Sequence, residues 1–189
     1  MGKLVLATIT ISGSAKWLLK VGGNKEKWYG SDRIFMYVMT VFGAMTVNYS
    51  EQCTEYGWVV SNLRLLAGCL LAGGLLSAAY MDRRNCWVYN YVWWWCLPWT
   101  GILLGLPASE AYMEDGVCRI TDRFSIQQAA AVALFVLLQQ ILFAQMYGRA
   151  DCHAFSVCAL AGCAWQGKLL WFLIHMLSAL TLLAAVQLC

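Results

Sequence analysis

WVVSNLRLLAGCLLAGGLLSAAY, residues 58–80, runs directly into Met81-Asp82-Arg83-Arg84-Asn85. The apolar part is long enough to cross a bilayer, which takes about 20 residues at about 1.5 Å each. Arg64 stands near one end of it, where a long side chain is expected to snorkel to the interface. The stretch stops at an acid and two arginines. Lys and Arg in short loops mark the cytoplasmic side, so Trp58–Tyr80 is read as entering the cytoplasm at Asp82.

Composition extends that reading to the whole chain. Of 189 residues, 61% are hydrophobic and 12% charged, against roughly 25% charged in a soluble domain. An all-α polytopic membrane protein follows, with room for six or seven transmembrane helices and no soluble domain beside them. On either side of Trp58–Tyr80 the expected spans are Leu4–Leu19, Ile34–Asn48, Val88–Leu106, Ser125–Tyr147, the short Cys152–Trp165, and Leu169–Leu188. Asn48–Tyr56 and Pro107–Phe124 are the expected outer loops, and Asp82–Trp87 a cytoplasmic one.

Charge agrees with this threading. Lys16, Lys20, Lys25, Lys27 and Arg33 cluster in one polar segment, with Arg83, Arg84 and Arg149 in two others. Glu51, Glu55, Glu110, Glu114, Asp115 and Asp122 fall in the alternate loops. The formal net charge of +3 is too small for a nucleic-acid surface. Nine cysteines include no Cys-x-x-Cys pair, and Cys69, Cys96, Cys158 and Cys163 lie in apolar segments as small hydrophobes. Cys53 and Cys118 share the outer side, where a disulfide between them is open.

Two aspartates stand out. Asp82 and Asp151 each sit where a long apolar segment ends, and span parity brings both to the cytoplasmic face. Acids at a membrane edge are expensive and are a functional hypothesis by default. Two carboxyls brought close titrate as a coupled pair, one acting as base on a water and the other as acid on the scissile group. The helix dipole favours an anion at Asp151, which precedes a helix, over Asp82, which follows one. The plainer alternatives are a solvated charge cluster at Asp82-Arg83-Arg84 and a helix N-cap at Asp151. Ala150, Ala154, Cys158 and Gly162, beside Asp151, Phe155, Ala159 and Cys163, form two adjacent stripes of mainly small residues. Such stripes let helices approach closely, so the helix after Asp151 is expected to be interior.

The run Asp82-Arg83-Arg84-Asn85-Cys86-Trp87-Val88-Tyr89-Asn90 resembles the first aspartate motif of the prepilin leader peptidases, with Asp82, Val88 and Asn90 on its Asp, aliphatic and Asn positions. Gly148-Arg149-Ala150-Asp151 is similar to the Gly-x-Gly-Asp signature of those peptidases and of other intramembrane aspartic proteases. Tyr89 replaces the family's Pro, Ala150 its second Gly, and His153 stands where many members have a Lys. Alanine gives up glycine's access to positive φ, which bears on the turn rather than on the acid.

The resemblance covers 58–189, as a catalytic membrane core. Residues 1–57 match only in being membrane segments. It implies an aspartic endopeptidase with Asp82 and Asp151 catalytic, Gly148, Arg149 and Ala150 forming the supporting turn, and Asn90 substrate-side or at a helix start. The implied substrates are leader peptides of type IV prepilin-like proteins, cut at the cytoplasmic face of a bacterial plasma membrane. No cofactor, metal, nucleic acid or methyltransferase domain is implied. A non-enzymatic assembly or transport component, or a degenerate inactive homologue, is the alternative.

Among remaining candidates, Trp93, Trp94, Trp95 and Trp99 read as bilayer anchors. Pro98 is expected to kink its helix. Gln127, Gln128, Gln139, Gln140 and Gln145 read as interhelical hydrogen-bonders that position the Asp151 turn. His153 and His175 suggest no metal.

Overall fold

The computed structural model describes residues 2–22, 30–52, 58–115, 126–142, 148–166 and 174. Among them are six helices and no strand: α1 Gly2–Val21, α2 Gly30–Gln52, α3 Trp58–Asn85, α4 Asn90–Asp115, α5 Ile126–Ile141 and α6 Arg149–Gln166. Two of these, α1 and α3, are long and apolar enough to cross a membrane, and α5 holds a shorter apolar stretch, Ala130–Ile141. The chain divides into two compact units, Met1–Leu106 and Pro107–Cys189. In the first, α1, α2 and α3 pack on one another, and in the second α5 packs on α6.

Several boundaries differ from the sequence expectation. α3 continues through Met81-Asp82-Arg83-Arg84 to Asn85, so the expected loop at Asp82 is the helix's last turn. Arg and Met are good helix formers, and the chain leaves the helix only at Cys86, whose φ is 55°. α2 is longer than Ile34–Asn48 at both ends. α4 runs through Pro98 and Pro107 to Asp115, so the first half of the expected outer loop is helical. Leu169–Leu188, except for Ile174, and both Cys53 and Cys118 lie outside the described residues.

Small residues on α3 decide how its neighbours approach. A methyl group on Gly73 would collide with Ser14 Oγ and stand 3.0 Å from the Ile11 carbonyl of α1. One on Gly74 would stand 2.6 Å from Cys96 Sγ of α4. Glycine at these two adjacent positions therefore serves contacts on two different neighbours, as small residues do in membrane helix packing. The space at Gly74 admits the Trp95 indole, whose Nε1 donates to the Leu70 carbonyl at 3.2 Å. Ala7, Ile11, Ala15 and Leu18 of α1 form the buried stripe.

Arg64 corrects the snorkelling expectation. It is fully buried, and its Nη1 donates to the Leu103 carbonyl of α4 at 3.3 Å. In an unbroken helix that carbonyl would accept from residue 107, but Pro107 has no N–H. Arg64 thus supplies a donor to a carbonyl that Pro107 cannot serve.

The tryptophans divide by environment. Trp94 is 73% exposed, as an anchor should be, while Trp93 is buried. Trp95 is half-buried against Trp17 and Trp99, with ring centroids 5.2 and 5.6 Å away. Elsewhere the exterior is strongly apolar: Val5, Leu6 and Ile9 of α1 and Ile34, Val38 and Phe42 of α2 are all exposed. A soluble monomer rarely shows apolar surface on this scale, whereas a bilayer would cover it.

Candidate active site

Asp82 belongs to the first unit and Asp151 to the second. Asp82 is exposed in the last turn of α3. Its carbonyl accepts the Cys86 amide at 2.8 Å, and Cys86 is left-handed, which makes this a C-terminal αL cap. The helix dipole at this end opposes an anion. The flanking arginines are engaged by α2. Arg84 Nη2 pairs with Asp32 Oδ2 at 2.8 Å, and Asp32 is buried. The Arg83 guanidinium lies over the Phe35 ring, 4.9 Å from its centroid.

Asp32 escaped the sequence reading because it stands in a lysine-rich segment and carries no membrane-edge signal. Its pairing with Arg84 ties the end of α3 to the start of α2. Within Asp82-Arg83-Arg84 the two arginines are thus engaged by α2, while Asp82 itself is exposed, as the solvated-cluster alternative expects. Beyond Cys86 the rings of Trp87, Tyr89 and Tyr91 follow one another, with centroids 4.9 and 5.8 Å apart. Tyr89 is the middle ring. The Tyr91 hydroxyl donates to the Leu18 carbonyl near the end of α1 at 2.9 Å. Asn90 is the first residue of α4, in keeping with a helix-start role.

The second half is built on Gly148. Its φ is +84°, and its carbonyl accepts the Cys152 amide at 3.3 Å, so Gly148 caps α6. Arg149, Ala150 and Asp151 are the first three helical residues. Asp151 is therefore not the N-cap. It sits in the first turn, where the dipole favours a carboxylate, with Oδ2 4.0 Å from the position a Gly148 Cβ would take. Ala150 is helical, and Cys86 is the non-glycine residue with positive φ among those described. The exchange of the second glycine for alanine thus removes no conformational freedom this turn uses.

Behind Asp151, α6 is fastened to α5. Gln140 Nε2 donates to His153 Nδ1 at 3.2 Å and to Ser156 Oγ at 3.4 Å, and Ser156 Oγ donates to the Cys152 carbonyl at 2.7 Å. The expectation of interhelical hydrogen bonds from the glutamines holds for Gln140, whose partners lie beyond the Asp151 turn, while the buried Gln139 Oε1 has no hydrogen-bond partner among the described residues. Gln145 lies outside the described residues, as do the side chains of Gln127 and Gln128. The buried residues of α6 are Cys152, Ser156, Val157, Ala159, Ala161 and Cys163, which take in Ala159 and Cys163 of the second expected stripe and none of the first. Ala150, Ala154, Cys158 and Gly162 are half-buried, and Asp151 itself is exposed. A 3.6-residue period makes the buried line drift from i+4 to i+7, which a strict four-residue stripe does not follow.

Each half is chemically complete in one respect: an exposed carboxylate on a helix end whose backbone is capped and whose neighbours are tied down. No family model, no curated protein and no solved structure matches the chain.

Proposed function

We propose that this chain is a membrane-embedded aspartic endopeptidase of the prepilin-peptidase type, crossing a bacterial plasma membrane six or seven times. Asp82 and Asp151 form the catalytic pair at the cytoplasmic face. Asp151, at the favourable end of its helix dipole, takes a proton from water as the hydroxide attacks the scissile carbonyl. Asp82 donates a proton to the departing amine, and the pair exchanges protons to restart the cycle. The substrate is the leader peptide of a type IV prepilin-like protein. The enzyme uses water as nucleophile and no cofactor.

The observation that supports this best is the turn at Gly148. Gly148-Arg149-Ala150-Asp151 resembles the signature in sequence, and the one glycine it keeps is the one whose backbone is left-handed. The test is cleavage of a synthetic prepilin-like leader peptide by the purified chain in lipid vesicles, with the products identified by mass spectrometry. The proposal expects a single cut at the leader boundary. An intact peptide, across several leader sequences, would favour the non-enzymatic or degenerate reading. Reporter fusions at Asn85 and Gly148 give an independent check, since opposite-side signals would keep the two aspartates apart.

A further inference from the structure

Between α1 and α2 lies a cavity of about 290 Å³, lined by Ser12, Lys16, Arg33, Met36, Tyr37 and Thr40. It belongs to the first unit and involves neither aspartate. Two cations converge on it from different helices, and both side chains are exposed. Neither Lys16 nor Arg33 takes part in an ion pair among the described residues, while the neighbouring acid, Asp32, is bound to Arg84. Lys and Arg facing one recess from two helices, with no carboxylate among the described residues that line it, make a site for an anion.

The wall has a polar end and a deeper end. Ser12 lies about 6 Å from Lys16 along α1, and Thr40 about 10 Å from Arg33 along α2, both toward the middle of their helices. The Thr40 hydroxyl already donates to the Met36 carbonyl at 2.6 Å. The donors left for a bound oxyanion are therefore the two cations and the hydroxyls of Ser12 and Tyr37. On the same two helices, Ile9 of α1 and Val38, Val41 and Phe42 of α2 are exposed and apolar. A charged recess between helices with such side chains suits a ligand with an anionic head and hydrocarbon tails better than a fully soluble one.

We infer that the α1–α2 cavity holds the phosphate of an anionic phospholipid of the cytoplasmic leaflet, with Lys16 and Arg33 as its cationic ligands. Basic pockets between membrane helices on this side bind such headgroups. The inference rests on the membrane placement proposed above and is independent of peptide cleavage, so a proteolytically inactive chain would still bind lipid here.

The experiment uses the full chain in bilayers of equal phosphatidylcholine and phosphatidylglycerol, extracted gently and weighed with its retained lipid by native mass spectrometry. The expected result is phosphatidylglycerol enriched over the bulk ratio. Lys16→Gln with Arg33→Gln should weaken retention roughly 30-fold, from the combined loss of two interfacial cations. The charge-keeping pair Lys16→Arg and Arg33→Lys should retain it, as should Lys3→Gln with Lys20→Gln, which removes α1 cations outside the cavity. Inorganic phosphate should not displace the lipid. Retention in the bulk ratio by the unaltered chain overturns the inference, whether or not any variant folds. Equal losses from both glutamine pairs would reduce it to general surface charge. Displacement by inorganic phosphate, with binding of phosphate alone, would assign the site to a soluble phosphate compound and overturn the lipid.

Discussion

Replacing Gly148 with alanine isolates the backbone of the candidate site from its chemistry. A Cβ there would meet Asp151 Oδ2 at 4.0 Å, an ordinary contact, so no collision contributes. The cost comes from φ = +84°. A left-handed conformation costs an L-residue about 1–2 kcal/mol. Alanine also restrains the unfolded chain, which offsets about 0.4–1 kcal/mol of this. A net loss of about 1 kcal/mol remains, or roughly fivefold in the population of the opened turn. Ala150→Gly, which restores the signature's second glycine, should also destabilise, by about 0.5–1 kcal/mol, because residue 150 is helical. Hydrogen exchange at the Cys152 amide, bonded to the Gly148 carbonyl, reads both changes locally. Faster exchange in both variants is expected. Slower exchange in Ala150→Gly, or none in Gly148→Ala, would refute the assignment of Gly148 as the left-handed cap.

Arg64→Leu should destabilise the chain by about 1–3 kcal/mol by leaving the Leu103 carbonyl without a donor; adding Pro107→Ala, which supplies a backbone N–H, should recover part of the loss, and strict additivity in that thermal-unfolding cycle would contradict the pairing. Gly74→Ala should cost about 1–3 kcal/mol through its conflict with Cys96 Sγ, a drop in melting temperature of about 2–4 °C per kcal/mol. Asp32→Asn should loosen the end of α3 by about 1–3 kcal/mol, seen as faster exchange at the Cys86 amide, because Arg84 loses its charged partner. Cys86→Gly should stabilise by about 0.5–1 kcal/mol, since glycine suits the left-handed cap that cysteine now occupies.

Helices were legible because apolar length and small-residue content are local properties, and the segments carrying Trp58–Tyr80 and Cys152–Trp165 are helices. Their ends were harder. Asp82-Arg83-Arg84 looks like a loop by charge, yet the helix continues until Cys86 turns left-handed, and no sequence rule favours cysteine there. Pro107 looked like a helix end, yet α4 continues through it, and the Leu103 carbonyl that its missing N–H leaves open accepts from Arg64, forty-three positions from Pro107 in the sequence. Such compensation is tertiary and leaves no periodic trace. Asp32 was missed for a related reason, as its importance comes from Arg84 on another helix. The Gly148 turn was legible through the resemblance of Gly148-Arg149-Ala150-Asp151 to a known signature, whereas the left-handed backbone of Gly148 is a finding of the structure, since glycine also caps helices without it.

The catalytic pair is tested most directly by co-expressing the chain with a prepilin-like substrate and following leader removal in the parent, in Asp82→Asn and in Asp151→Asn. Each exchange keeps the shape of the side chain and removes its acid. The account predicts processing by the parent and loss of it in both variants, with the chain still present in the membrane. Processing that survives either exchange would contradict it.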